Sequence, residues 1–319
     1  MSKKPSLNLK LDGGLGVTNF LIVMGWIAAN LHRRCAPGSE FVIRTSVGQR
    51  DVIESISAGR VDVAMTTPAD VMLKWAREGK YFFEGTPYPR LRTLGRLPHS
   101  DRIVFAVKAD TGLTSFADLK KSHSALRIVT RKSGSPLRLV IDKMLISHGI
   151  NPSEIEAWGG KWLVIENDPK RSIPWVTRGE ADAIIEEALM VPQWHELVEK
   201  VTMRFIPMEE NALRELKATC GVQPGFLEKG RLKAPKNIPC LEWADWALVV
   251  RDDLPEEIAY LITAIMVEER TELEARYRIR PWERSELSYP IDPYAMWKGL
   301  EDSLHPGAER YYREHGYMG

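Results

Sequence analysis

Four short stretches of the chain gather the residue types that bind small anions: 13–19, 45–50, 66–70 and 131–138. They carry Gly14, Thr18 and Asn19, then Ser46 and Gln49, then Thr66 and Thr67, then Arg131, Ser133, Gly134 and Ser135. Small residues let backbone N–H groups approach a carboxylate, and hydroxyls add donors. Arginine adds a fork that grips a carboxylate with two bonds. Arg44, Arg50, Arg131 and Arg138 lie in or beside these loops, and the last two flank the Ser133-Gly134-Ser135 turn. Glu186 and Glu187 follow an apolar run directly, so one of them is expected to face a cleft and meet a ligand amine, a hydroxyl or solvent. Any single Ser or Thr before a helix is more often a plain N-cap. Four such loops together favour anion capture.

The elements that must hold these loops alternate. Strand-like runs fall at 7–11, 41–45, 61–65, 103–107, 126–130, 181–185 and 241–250. Helix-like patterns fall at 17–31, 47–58, 68–79, 115–121, 136–148, 191–198 and 255–277. Alternation of this kind points to an α/β architecture. There is also an internal echo. Gly59-Arg-Val-Asp-Val-Ala-Met65 and Gly179-Glu-Ala-Asp-Ala-Ile-Ile185 share one pattern, and each lies downstream of a Ser/Gly loop. Gly ends a helix, Asp sits beside the turn, and a buried strand follows. Two copies favour two similar α/β lobes. In open α/β sheets ligands bind outside the carboxyl ends of strands, near helix N-termini.

Several function classes find no support. No Walker lysine, HExxH, GxSxG or EF-hand loop occurs, and Gly13-Gly14-Leu15-Gly16 is not a dinucleotide fingerprint. No two of the seven histidines share a helical face at i+3 or i+4, so neither a metal nor a cofactor site is expected, and no catalytic residue stands out. Cys35, Cys220 and Cys240 are too far apart for a metal motif and are expected as free or buried thiols. Trp158, Trp162, Trp175 and Trp194 are expected mostly in packing, with one or two available to line a pocket. Lys plus Arg total 44 against 43 for Asp plus Glu, a net charge of +1 over 319 residues. That balance argues against a nucleic-acid partner. No uncharged run reaches the roughly 18–20 apolar residues that a membrane span needs.

The chain resembles the TAXI group of TRAP-transporter solute-binding proteins. Asp12-Gly-Gly-Leu-Gly-Val-Thr-Asn-Phe20 is similar to that family's Gly-rich first loop, and Thr45-Ser-Val-Gly-Gln49 to its loop before a helix. Ser115-Phe-Ala-Asp-Leu-Lys120, Ser133-Gly-Ser135 and Arg251-Asp-Asp-Leu-Pro255 also fit, in order. The most specific stretch is Leu304-His-Pro-Gly-Ala-Glu-Arg-Tyr-Tyr-Arg-Glu-His-Gly316. The resemblance implies a bilobal periplasmic-binding-protein-like fold of the second type, two α/β lobes joined by crossing strands. Lobe I would comprise 1–100 plus 244–319 and lobe II 101–243, with the ligand cleft between them. It also implies a receptor for a small organic acid, a carboxylate or amino-acid-like anion, that hands its ligand to TRAP membrane subunits. Three departures bear on the ligand: Asn19-Phe20 replaces an aromatic pair, Pro136 follows the Ser-Gly-Ser turn, and Thr45-Ser-Val replaces a Gly-richer loop.

Two other readings stay open. One is an enzyme on the same fold acting on an aromatic or other carboxylate, as a decarboxylase would. The other is a cytoplasmic sensory binding module. They arise because 13–31 reads better as a binding loop and helix than as an export signal. The expected location is therefore periplasmic if a signal was trimmed or the start mis-assigned, and cytoplasmic for the chain as written.

Overall fold

The computed structural model describes residues 4–14, 19–165, 169–189 and 193–319. It divides into two compact units, 1–99 with 244–319 and 100–243. Unit one opens with β1 (Asn8–Asp12), α1 (Asn19–Arg34), β2 (Glu40–Arg44), α2 (Gln49–Ser57), β3 (Ala64–Thr66), α3 (Ala69–Glu78) and β4 (Leu91–Leu97). Unit two begins with β5 (Arg102–Lys108), α4 (Phe116–Ser122), β6 (Arg127–Arg131), α5 (Pro136–Ser147), α6 (Pro152–Ala157), β7 (Lys161–Ile165) and α7 (Pro169–Thr177). It continues through β8 (Ala183–Ala188), α8 (Gln193–Lys200), β9 (Met203–Ile206), α9 (Glu210–Cys220), β10 (Pro224–Leu227) and β11 (Ile238–Glu242). The chain then returns to unit one with β12 (Trp246–Arg251), α10 (Glu256–Glu268), α11 (Arg270–Tyr277) and α12 (Pro306–Glu314).

In unit one β1 pairs in parallel with β2, and β12 lies antiparallel between β3 and β4. Phe20, Val23, Met24, Ile27 and Leu31 recur along α1 at helical spacing and are buried. They share one core with Leu9, Leu11, Ile262, Ile265, Tyr311 and Tyr312. In unit two the sheet order is β10-β11-β5-β8-β6-β7, with β9 also on β5. Strands β6, β7 and β8 run parallel, and β5 opposes β8. Val104, Val129, Ile184, Trp194 and Leu197 belong to its core. All three cysteines are buried and free.

The sequence echo has a concrete role. Asp62 accepts the Lys10 N–H of β1 on its carboxylate (2.8 Å), and its own N–H donates to the Lys10 carbonyl (2.8 Å). Asp182 does the same with Arg127 at the start of β6, at 3.0 Å and 2.9 Å. In both units an aspartate thus pins a parallel strand at its first turn of pairing.

Two expected elements differ. The run 241–250 is not one strand: β11 ends at Glu242 and β12 starts at Trp246. Asp245 lies between them at φ 63, its N–H on the His99 carbonyl (2.8 Å) and its carboxylate on the His99 N–H (3.0 Å). Likewise 255–277 is two helices, broken at Glu269, where φ is −98.

Candidate functional site

The described parts of the loops singled out above lie where strands give way to helices. In unit one β1 ends at Asp12, which is fully buried. Its carboxylate accepts the Gly14 N–H (2.9 Å) and the Ser46 O–H, and Arg44 Nε lies 3.7 Å away. The Ser46 N–H in turn reaches the Gly14 carbonyl (2.7 Å). Gly14 adopts φ 62, a left-handed conformation that suits glycine. Asp12 therefore staples the ends of β1 and β2 together. Thr18 lies outside the described residues. Asn19 opens α1 and accepts the Tyr277 hydroxyl on its amide oxygen (3.1 Å), which ties α1 to α11.

Gln49 opens α2, and its Oε1 accepts the hydroxyl of Thr66, the last residue of β3 (2.5 Å). Thr67 donates to the Asp245 carbonyl (3.0 Å). Neither α2 nor α3 has a side-chain cap hydrogen bond at its N-cap, Gly48 and Pro68 respectively. Ser46 and Thr66 are themselves buried. So Ser46, Thr66 and Thr67, read as anion donors, each give a hydroxyl hydrogen bond to the scaffold of unit one.

In unit two Arg131 closes β6, and its side chain meets Glu186 of the parallel β8. Arg131 Nε lies 2.8 and 2.7 Å from the two Glu186 oxygens, and Nη2 reaches Glu187 Oε2 at 3.3 Å. Glu186 also accepts the Glu187 N–H (3.0 Å) and is fully buried. Burial pushes the Glu186 carboxyl up to about 7, against the pull of Arg131. The same carboxylates hold the Arg131 guanidinium above its ordinary value even though burial opposes the charge.

Ser135 is the N-cap of α5, accepting the Arg138 N–H (3.1 Å), with Pro136 in the first turn. That is the plain capping role. Gly134 takes φ 80, and Ser133 and Gly134 are exposed. Arg138 bonds Asp142 (2.6 Å) and lies 4.3 Å over the Trp162 ring. Neither arginine is a free anion fork. Of the expected tryptophans, Trp194 is core, Trp158 stacks on His123, and Trp175 packs against the core.

Ser133, Gly134 and Ser135 therefore collect with Arg131, Glu186 and Glu187 at the carboxyl ends of β6 and β8. A surface depression of about 670 Å³ lined by Lys108, Asp110, Arg178 and Lys200 lies where β8 begins, not where it ends. Sequence reasoning missed Asp12 as an organiser. Its signal was a charged residue closing an alternating strand before a double glycine. It also missed Asp245, which no local pattern marks. No cluster of His, Cys, Asp and Glu able to hold a metal occurs among the described residues. Among them no helix is long and apolar enough to cross a membrane.

A model of the NMT1-like family matches residues 17–316. The chain belongs to the NMT1-like family. A search of curated proteins finds no match. Among solved structures, this NMT1-like chain is similar to PhnD1 from Prochlorococcus marinus in complex with methylphosphonate, at TM-score 0.54 and 12% identity, covering 98% of this chain and 99% of that one. It is similar to a TctC solute binding protein from Polaromonas at TM-score 0.54 and 15% identity, with 98% and 99% covered. XAC2383 from Xanthomonas citri, bound to chloride ion, gives TM-score 0.54 and 11% identity over 97% and 99%. At these identities the likeness concerns the fold: this NMT1-like chain has the α/β fold of bilobal periplasmic-binding proteins.

Proposed function

We propose that the chain is a solute-binding protein that takes a small organic solute on its strand-end loops and releases it unchanged to a membrane transporter. The observation that carries this reading is the end-to-end fold match, which includes a TctC solute binding protein. The polar loops support it. They sit at strand ends, the place where α/β sheets bind ligands. Within that reading, the order of sequence motifs favours the TAXI branch and TRAP membrane subunits as partners, which would place the protein in the periplasm. The resemblance implies an organic-acid solute.

One observation favours the enzyme alternative: a buried carboxyl pushed up to about 7 could serve as a general acid or base. Both Glu186 oxygens are taken up by Arg131, which argues for a structural charge pair instead. The test is a thermal-shift screen of the full chain against a solute library, followed by product analysis of each hit. The receptor reading expects a rise in melting temperature and full recovery of the solute. Consumption of a hit with time would favour the enzyme.

A further inference from the structure

In unit two His148 closes α5, and both nitrogens of its ring are engaged. Nδ1 lies 2.7 Å from the Met144 carbonyl, one turn back along α5. A carbonyl only accepts, so Nδ1 carries the ring proton. Nε2 accepts the Glu209 N–H at 3.1 Å. A backbone N–H only donates, so Nε2 carries no proton. Two separate contacts thus select the same neutral tautomer. The Phe116 ring of α4 stacks on the imidazole, with centroids 3.7 Å apart and planes 16° from parallel. Glu209 is the N-cap of α9, and no side-chain cap hydrogen bond holds that helix end. The bond to His148 therefore ties the entry of α9 to the end of α5.

We propose that His148 is a pH-operated latch: neutral, it holds the N-cap of α9 against the end of α5, and protonated at Nε2 it lets go. An Nε2–H would face the Glu209 N–H, donor against donor, so protonation removes the bond outright. The charges around the ring pull both ways. Glu209 and Glu215, on the α9 side, favour the proton, and so does the C-terminal end of α5. On the α4 side the ring meets the apolar face of Phe116, and the Lys120 ammonium approaches the next residue, Gly149. Burial disfavours the imidazolium and prevails, which holds the ring below the ordinary histidine value of about 6.5. The latch is thus closed above that value and is lost as pH falls through the lower value of the folded state. It does not depend on the solute-binding reading.

Hydrogen exchange of the full chain tests this, read by NMR at the Glu209 amide and expressed as protection relative to the unfolded rate at each pH. Between about pH 7.5 and about pH 5 that protection should fall about tenfold, the scale of one hydrogen bond. His148→Phe keeps a stacked ring with no acceptor, so protection should be low at both pH values. Glu209→Gln removes the adjacent carboxylate and keeps the backbone N–H, so the pH response should persist. Melting curves at neutral pH check that each variant is folded. If His148→Phe is not, His148→Gln takes its place, and it should show no pH response because its amide does not titrate. Equal protection at the two pH values in the unsubstituted chain would overturn the latch. So would a pH response that survives replacement of His148, or one that vanishes in Glu209→Gln.

Discussion

Glu186 is fully buried against the Arg131 guanidinium. Because burial raises its carboxyl to about 7, the folded state takes up a proton more readily than the unfolded chain. The resulting stability is fully present below the ordinary carboxylate value of about 4.3 and is lost as pH rises through about 7. The melting temperature should therefore fall between about pH 5 and about pH 8, and Glu186→Gln should flatten that slope. A variant that keeps the wild-type slope would show that another group sets it. At the same scale, Asp182 joins the chain ends of two parallel strands, and its bonds to Arg127 hold its carboxyl below the usual range. Asp182→Ala should cost about 1–3 kcal/mol in urea denaturation, because it strands the Arg127 N–H at the start of β6, an interior strand.

At the scale of elements, α12 shows how a family-like motif can be a packing device. His305 caps α12 by accepting the Gly307 N–H on Nδ1 (3.2 Å), and Pro306 fills the first turn. Gly307 has no room for a Cβ, which would run into the Glu256 carbonyl of α10. Tyr312 then reaches the Leu94 carbonyl of β4 (3.1 Å). Gly307→Ala should destabilise the chain by about 1–3 kcal/mol through overpacking. His305→Ala should cost about 1 kcal/mol through the lost cap. Both are measured by chemical denaturation, and a neutral Gly307→Ala would contradict the close approach. The described contacts of His305, Gly307 and Tyr312 thus serve the packing of unit one.

The same elements show what was legible in the chain. Helix ends and strand starts around Gly59 and Gly179 could be read because glycine, aspartate and apolar runs act locally. The break between β11 and β12 could not. Both halves are apolar, and the turn at Asp245 is fixed by bonds to His99, far away in sequence. Strand β4 went unread because its stretch was rich in proline and glycine; Gly95 stands in its middle with Tyr312 against it. The candidate loops were visible by composition. Their hydrogen-bond partners were not, since Ser46 answers to Asp12 and Arg131 to Glu186 across many residues.

For the whole molecule, the chain forms one unit from both its ends and the other from its middle. Each unit carries one Gly-x-x-Asp turn that pins a parallel strand. The central claim is that this NMT1-like chain binds a small solute and does not transform it. Titration calorimetry of the full chain with each hit of a solute library, with the mixture analysed afterwards by mass spectrometry, tests it most directly. The account predicts saturable binding of one solute per chain, a raised melting temperature as binding to the folded state requires, and complete recovery of the solute. Disappearance of the solute, or no binding across the library, would contradict it.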